Sequence, residues 1–260
     1  MMRAIPAVTA RLDGAGAIVT GAGSGMGRAT AVLLARAGAK VAVTDVTLDN
    51  AKAVADEIVA EGLSAQPWSC DVADPAAISR VVEESAAAFG DLSIIVNNAG
   101  ISANLSIDDP DYEAQWDRHL AILLTAQQRM IRAALPHLRK AANPRIVNIA
   151  STEGLGATAG FSAYSAAKAG VIGLTRSLAV ELGKSGITVN CICPGPIETG
   201  MTQGIPDEAK QVYAARRTAL RRYGLPEEVA FMTASLCAPA ASFVTGAIIP
   251  VDGGLMARNA

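Results

Sequence analysis

Five short stretches of this chain are apolar at almost every position: AIVT at 17–20, VAVT at 41–44, IIVN at 94–97, RIVNIA at 145–150 and ITVNCI at 187–192. A strand with one wet face alternates apolar and polar residues, whereas a strand covered on both faces does not. Such runs are the mark of parallel strands sandwiched between helices. Between them lie longer Ala/Leu-rich stretches with helical spacing. The resulting order is strand 17–20, helix 26–37 ended by Gly38, strand 40–45, helix 48–61 and strand 65–70. It continues with a helix from Pro75, placed in the first turn, to Ala88, with Gly90 beyond its end. Strand 94–97 precedes a long helix over 111–140 with a kink expected before Pro136. Strand 145–150, helix 162–182, strand 188–193, helix 226–237 and strand 247–251 complete the pattern.

This alternation predicts an α/β fold, a Rossmann-type doubly wound parallel sheet with helices on both faces. The chain has 260 residues, 51% of them hydrophobic and 18% charged, enough for one large core. No Pro/Gly/Ser-rich linker divides it, so a single domain over 1–260 is expected. In such sheets ligands bind beyond the carboxyl ends of the strands. That directs attention to 20–27, 45, 71, 97–102, 151–164 and 194–202.

The formal charge of −2 provides no electrostatic footprint for nucleic acid or an anionic membrane. No apolar run reaches the ~20 residues of a transmembrane helix, and the N-terminal MMRAIPAVTA lacks the long apolar stretch of a signal peptide. Cys70, Cys191, Cys193 and Cys237 are placed too irregularly for a disulfide framework or a zinc site. Buried free thiols and a cytoplasmic location are expected. Cys191 and Cys193 would share one face of a strand.

The first strand runs into Thr20-Gly21-Ala22-Gly23-Ser24-Gly25-Met26-Gly27, where a helix opens. Glycines let the backbone turn sharply and approach a pyrophosphate, and the helix N-terminus supplies free N–H groups. A tight strand–helix turn is the plainer reading. Its position after the first strand of a parallel sheet favours dinucleotide binding. Asp45 ends the second strand, where a carboxylate can accept both hydroxyls of an adenosine ribose and repel a 2′-phosphate, favouring NAD; a helix N-cap or turn aspartate is the plainer alternative. Asp71-Val72 follows the third strand, where an acid either meets an adenine amino group or caps a helix.

Tyr164 and Lys168 are four apart on a helix and share a face. A free phenol, with a pKa near ~10, is a poor base at neutral pH. A neighbouring ammonium would lower it and make an acid/base unit. This pair is common by chance; its place after a strand ending at Ser151 lends it weight.

With these motifs in view the chain resembles the short-chain dehydrogenase/reductase family, NAD(P)-dependent oxidoreductases, from about Leu12 to Gly254. The resemblance is carried by Thr20–Gly27, Asn97-Asn-Ala-Gly100, Ser151, Tyr164-Ser-Ala-Ala-Lys168, Pro194-Gly195 and Val251-Asp-Gly-Gly254, with Ser151 thirteen residues before Tyr164. It implies a sheet of about seven strands in the order 3-2-1-4-5-6-7 and a homotetramer or homodimer. Tyr164 would be general acid/base, Ser151 would hold the substrate oxygen, and Lys168 would hold the nicotinamide ribose. Gly21, Ser24, Gly25, Met26, Gly27, Asn98, Ala99, Gly100, Pro194 and Gly195 would line the cofactor. Ile197 and Thr199 would meet its carboxamide. One position departs: Trp116–Thr125 aligns to the family pattern with Leu123 where a fourth catalytic residue, an asparagine, belongs. The side-chain amide is lost and the backbone carbonyl kept, so a modified proton relay is expected, with a weakened enzyme the alternative.

Glu153 and Met201 are candidate substrate contacts. A carboxylate at 153 would disfavour anionic substrates and bind a hydroxyl or ammonium, or else cap the loop. Asn104, Gln127 and Gln128 are further polar candidates. Residues 196–218 resemble the family's mobile lid, with Met201, Ile205 and Tyr213 as apolar contacts. Arg216, Arg217, Arg221 and Arg222 read as a solvated or intersubunit cluster, or an anion site. His119 and His137 fall on the long helix away from the motifs, which suits packing or surface roles. The leading expectation is an NAD-dependent enzyme interconverting a small-molecule secondary alcohol and a ketone. A 3-oxoacyl-(acyl-carrier-protein) reductase-like enzyme and a weakly active dinucleotide-binding protein are the alternatives.

Overall fold

The computed structural model describes residues 9–258; most of the N-terminal decapeptide considered above lies outside them. Seven parallel strands form one sheet: β1 (Gly16–Thr20), β2 (Lys40–Asp45), β3 (Ala65–Ser69), β4 (Ile94–Asn97), β5 (Arg145–Ile149), β6 (Thr188–Pro194) and β7 (Ile248–Val251). Their spatial order is 3-2-1-4-5-6-7, as the resemblance implied. All residues of β1, β4, β5 and β6 are buried, which is why these strands show no alternation.

The first three helices are α1 (Gly25–Arg36), α2 (Leu48–Ala60) and α3 (Pro75–Phe89). The α3 helix starts on the Asp74 carboxylate, which accepts the Ala76 N–H at 2.8 Å, and stops at Gly90 with φ 72°. The long helix expected over 111–140 is interrupted. It consists of α4 (Tyr112–Leu120), one π-helical turn at Ala121–Thr125, and α5 (Ala126–Leu138), which continues through Pro136. The distortion thus lies around Leu123 and not before Pro136; the proline sits in the last turn, where little helix remains to break. Three more helices follow: α6 (Ser162–Leu182), α7 (Asp207–Arg217) and α8 (Pro226–Cys237). The α7 helix falls within 196–218, where no helix was expected.

One apolar cluster packs α1, α2 and α8 on one side of the sheet, and a second packs α3, α5 and α6 on the other. A polar thread crosses the second layer. Asn97 Nδ2 donates to Asn148 Oδ1 at 2.9 Å, and Asn148 Nδ2 donates to Thr175 Oγ1 at 3.0 Å, all three residues being buried. This ties β4 to β5 and β5 to α6, so it fixes the helix that carries Tyr164 and Lys168 against the strand ends. Removing Asn148 strands a donor and an acceptor at about 1–3 kcal/mol each. Asn148→Leu is therefore expected to lose at least about 2 kcal/mol in urea unfolding. A loss within about 0.5 kcal/mol would contradict this role.

Candidate active site

The carboxyl ends of β1 to β4 open onto a cleft of about 370 Å³, lined by Gly21, Asp45, Asp71, Val72, Ala99 and Gly100 among others. Gly21 has φ 61°, and a Cβ there would lie 2.8 Å from the Ala99 Cα. At Gly27 a Cβ would collide with the Gly21 carbonyl and the Asn98 amide. The close approach of loop and helix therefore requires glycine at both places. Asn98 braces the turn: Nδ2 donates to the carbonyls of Thr20 at 2.8 Å and Gly21 at 3.1 Å. Thr20 Oγ1 accepts the N–H groups of Asn98 and Ala99, each at 3.0 Å. Ser24 occupies the position before α1 without capping it through its side chain, and the first turn, including Met26, holds no acid. Its N–H groups and dipole face the loop uncompensated.

Asp45 stands at the end of β2, its Oδ2 accepting the Gly23 N–H and its Oδ1 the Thr47 N–H, both at 3.1 Å. Asp71 Oδ1 accepts the Ala73 N–H at 2.9 Å, so it shapes its own turn, while the cap of α3 is Asp74. Gly195 donates to the Val251 carbonyl at 3.0 Å, tying the Pro194-Gly195 turn to the end of β7. Thr199 lies against Gly25, where a Cβ would meet its side chain at 3.4 Å. The Ile197 side chain turns into the core, and its carbonyl accepts from Thr202 Oγ1 at 3.0 Å.

Ser151, Tyr164 and Lys168 come together beyond β5. Lys168 is 3% exposed, its Nζ donating to the Ile149 carbonyl at 2.8 Å and lying 5.6 Å from the centre of the Tyr164 ring. Burial without a carboxylate beside it pushes the ammonium down to about 8, against the push of the Cys191 and Cys193 thiols beneath. The Tyr164 phenol is pushed above its ordinary value by burial; hydrogen bonding with Ser151 pulls it down, and the Glu153 carboxylate pushes it up. The expectation was that Lys168 lowers this phenol; the net direction is upward, with burial the largest cause, and the ammonium stands over the ring. Glu153 is half-buried in a short 3₁₀ turn, accepting from Thr158 Oγ1 at 2.8 Å.

His119 has a packing role, one of those expected, but not one away from the motifs. It is 1% exposed and packs edge-on against Tyr164, with ring centres 6.3 Å apart. Phe161 holds the same ring at 6.1 Å, edge-on again. His137, by contrast, pairs with Glu83 at 3.0 Å near the surface. Gln127 is buried, its Nε2 donating at 3.4 Å to the same Ile149 carbonyl that Lys168 uses. Asn104 donates to the Ala159 carbonyl at 3.3 Å, and Met201 is 57% exposed. The arginines do not act as one cluster: Arg222 pairs with Glu228, whereas Arg216 and Arg217 line a groove along α7. Arg118, which the sequence reading passed over, lines the cleft. All four cysteines are free and buried, Cys191 and Cys193 in one small cluster.

Comparison with known proteins matches the model for enoyl-(acyl carrier protein) reductases over residues 21–256. A 3-oxoacyl-(acyl-carrier-protein) reductase of Thermotoga maritima is 38% identical over 248 residues, covering 95% of this chain and 99% of the relative. A cis-4-hydroxycyclohexanecarboxylate dehydrogenase of Sinomonas cyclohexanicum is 43% identical over 242 residues, covering 93% and 96%. The crystal structure of a short-chain type dehydrogenase/reductase from Mycobacterium marinum superposes with a TM-score of 0.90 at 31% identity, covering 96% and 98%. The chain belongs to the short-chain dehydrogenase/reductase family of oxidoreductases.

Short-chain dehydrogenase/reductases work with a nicotinamide dinucleotide, and the residues present fit one. The glycine turn packs so closely on the Asn98-Ala99 segment that no Cβ is tolerated at Gly21 or Gly27, α1 presents its N-terminus without an acid, and a carboxylate waits at the end of β2. Leu123 is fully buried in the π turn, and a Cβ at Gly100 would lie 3.2 Å from its Cδ2. The helix therefore widens at this point with leucine in place of the family asparagine, and the widening does not depend on a side-chain amide.

The lowered Lys168 has a consequence for stability. The unfolded chain holds this proton more firmly than the folded one, so the charge costs stability in full below about pH 8. That cost fades as pH rises towards the ordinary 10.5. Lys168→Met is expected to resist urea better than wild type at neutral pH, by a few kcal/mol at most, with the gap closing by about pH 10. A gap independent of pH would contradict the buried ammonium.

Proposed function

We propose that this protein is an NAD-dependent dehydrogenase/reductase that interconverts a secondary alcohol and a ketone on a small molecule. The observation that carries this reading is that Ser151, Tyr164 and Lys168 come together beyond β5, with Lys168 Nζ beside Gly100 of the cleft that Asp45 also lines. A nicotinamide dinucleotide bound along the cleft supplies the hydride acceptor or donor. The chain does the rest. Tyr164 exchanges a proton with the substrate oxygen, as base in oxidation and acid in reduction. Ser151 steadies the charge developing on that oxygen. Lys168 binds ribose hydroxyls and holds positive charge under the ring. The turn of Asn98, Ala99 and Gly100, with Gly21, Ser24, Gly25, Met26 and Gly27, lies along the cofactor. Asp71, Val72, Pro194, Gly195, Thr199 and the Ile197 backbone complete its contacts.

Asp45 favours NAD because its carboxylate would face the 2′-phosphate of NADP. Glu153 and Met201 border the substrate, and the Glu153 carboxylate selects against anionic groups next to the reacting carbon. Residues 196–218, stiffened by α7 and by the ion pair of Lys210 with Glu198 at 2.7 Å, close over substrate and exclude water. The whole chain acts as one domain. The enzyme is a homodimer or homotetramer of a reducing cytoplasm, a placement its four free thiols suit. The acyl-carrier-protein reductase reading is favoured by the 38% identical Thermotoga maritima relative. Asp45 weighs against it in so far as that role runs on NADPH.

The absorbance of reduced nicotinamide, followed with NAD and NADP across secondary alcohols and ketones, tests the proposal. NAD is expected to give the higher kcat/KM. A like-charge contact near a protein surface costs on the order of 1–4 kcal/mol. Asp45→Ser should therefore shift the ratio towards NADP by about tenfold or more. Equal use of both cofactors by the wild type, or an unchanged ratio in the variant, would overturn the NAD preference. Exclusive turnover of carrier-bound 3-oxoacyl groups would establish the second reading.

A further inference from the structure

Ser151 and Tyr164 are joined by residues 152–163, so this loop borders any site in which both hydroxyls meet a substrate oxygen. It opens with the 3₁₀ turn Thr152–Gly154 and continues through Leu155 and Gly156, both exposed. A Cβ at Gly154 would lie 2.8 Å from the Lys168 carbonyl, so one side of the turn is pressed on α6. At Gly156 a Cβ would meet the Met256 side chain, 3.7 Å from Cε and 3.9 Å from Sδ. Met256 lies beyond the last strand and outside every motif of the sequence.

Hydrogen bonds hold the segment that carries it. Asp252 Oδ1 accepts the Gly254 N–H at 2.9 Å, and Oδ2 accepts the Met256 N–H at 2.8 Å. The Gly253 carbonyl accepts the Leu220 N–H at 3.0 Å. Arg258 donates to the Ala215 carbonyl of α7 at 3.3 Å. Residues 252–258 therefore run from the end of β7 to the last turn of the lid helix, passing the Ser151 loop on the way. The Met256 backbone is fixed, yet the residue is 40% exposed. Leu155, on the neighbouring loop, is 38% exposed. Anchored apolar side chains left open beside catalytic hydroxyls offer a substrate a hydrocarbon surface, and an unbranched thioether adapts to its shape.

We infer that Met256 is a specificity-determining residue, a wall of the substrate site that limits the size of the apolar substituent on the reacting carbon. This rests on Ser151 and Tyr164 holding the substrate oxygen. Once the oxygen is held there and the carbinol hydrogen is committed to the transfer, only the two carbon substituents remain to be placed. One of them runs along the 152–156 turn. Gly156 contributes no side chain, so the thioether of Met256 is the next surface it meets. Glu153, on the same turn, disfavours an anionic group there, which leaves a neutral hydrocarbon as the class accepted. Arg258 ties this wall to α7, so wall and lid keep one spacing.

The test ranks the secondary alcohols that the wild type oxidises by the size of their larger substituent and measures kcat/KM at saturating NAD. Met256→Ala should raise the ratio of the largest alcohol to the smallest by roughly tenfold, and Met256→Trp should lower it as much. Gly156→Ala, whose added methyl fits beside the thioether, should also lower the ratio. In all three, kcat/KM for the smallest alcohol and the dissociation constant for NAD should stay within about threefold of wild type. A readout without turnover uses peroxide on the dead-end complex of enzyme, NADH and alcohol. Oxidation of Met256 to the sulfoxide, followed by mass spectrometry, should be several-fold slower there than in enzyme with NADH alone. A size preference unmoved by Met256→Ala and Met256→Trp, one that both shift in the same direction, or equal oxidation with and without alcohol would each overturn the inference while the proposed reaction stands. A wild type inert towards every alcohol and ketone would overturn the proposed reaction, and the wall with it.

Discussion

The hydrogen bond from Lys168 to the Ile149 carbonyl is the contact on which the rest of the site turns. Parallel pairing of β5 with β4 and β6 brings three strand ends level, and Ile149 is the last residue of β5. An ammonium taken out of water needs a polar partner, and the strand end provides one. The anchor fixes α6 in depth and rotation. Tyr164, one turn earlier, is thereby held with its ring over the ammonium and its hydroxyl by Ser151. The arrangement is paid for in stability, since a charge sits in the interior with no carboxylate beside it. Sites that hold such groups commonly sacrifice stability for chemistry.

Much of the architecture was legible in the sequence, and for a local reason. Strand identity follows from unbroken apolar runs, and helix limits follow from Pro75, Gly38 and Gly90, whose effects act within a turn. The pairing of Tyr164 with Lys168 is local too, because four residues make roughly one helical turn. The glycine loop was readable since its meaning depends only on the strand before it and the helix after it.

What escaped depends on packing between distant segments. His119 reads as remote from the motifs because it lies more than forty residues before Tyr164. Only the docking of α4 on α6 brings the two rings together. Helix α7 has the sequence DEAKQVYAARR, too polar to signal a buried face, and its flanking Gly and Pro residues read as loop. The π turn at Ala121–Thr125 has no residue that demands it. The Tyr164 environment was misjudged because desolvation is a property of the assembled interior, whereas a neighbouring charge can be counted from spacing.

The replacement of the family asparagine by Leu123 is thus less isolated than it looks in the sequence. The widened helix turn is kept, a buried imidazole stands one turn before it, and the amide of Gln127 stands one turn after it on the carbonyl that Lys168 uses. The account's central claim is that a single phenol moves the substrate proton. Tyr164→Phe tests it most directly, with turnover and NAD binding measured on the same preparation. Turnover should fall by roughly 10²–10⁴-fold while the dissociation constant for NAD stays within a factor of about three. A phenylalanine variant that keeps half the wild-type rate would contradict the account.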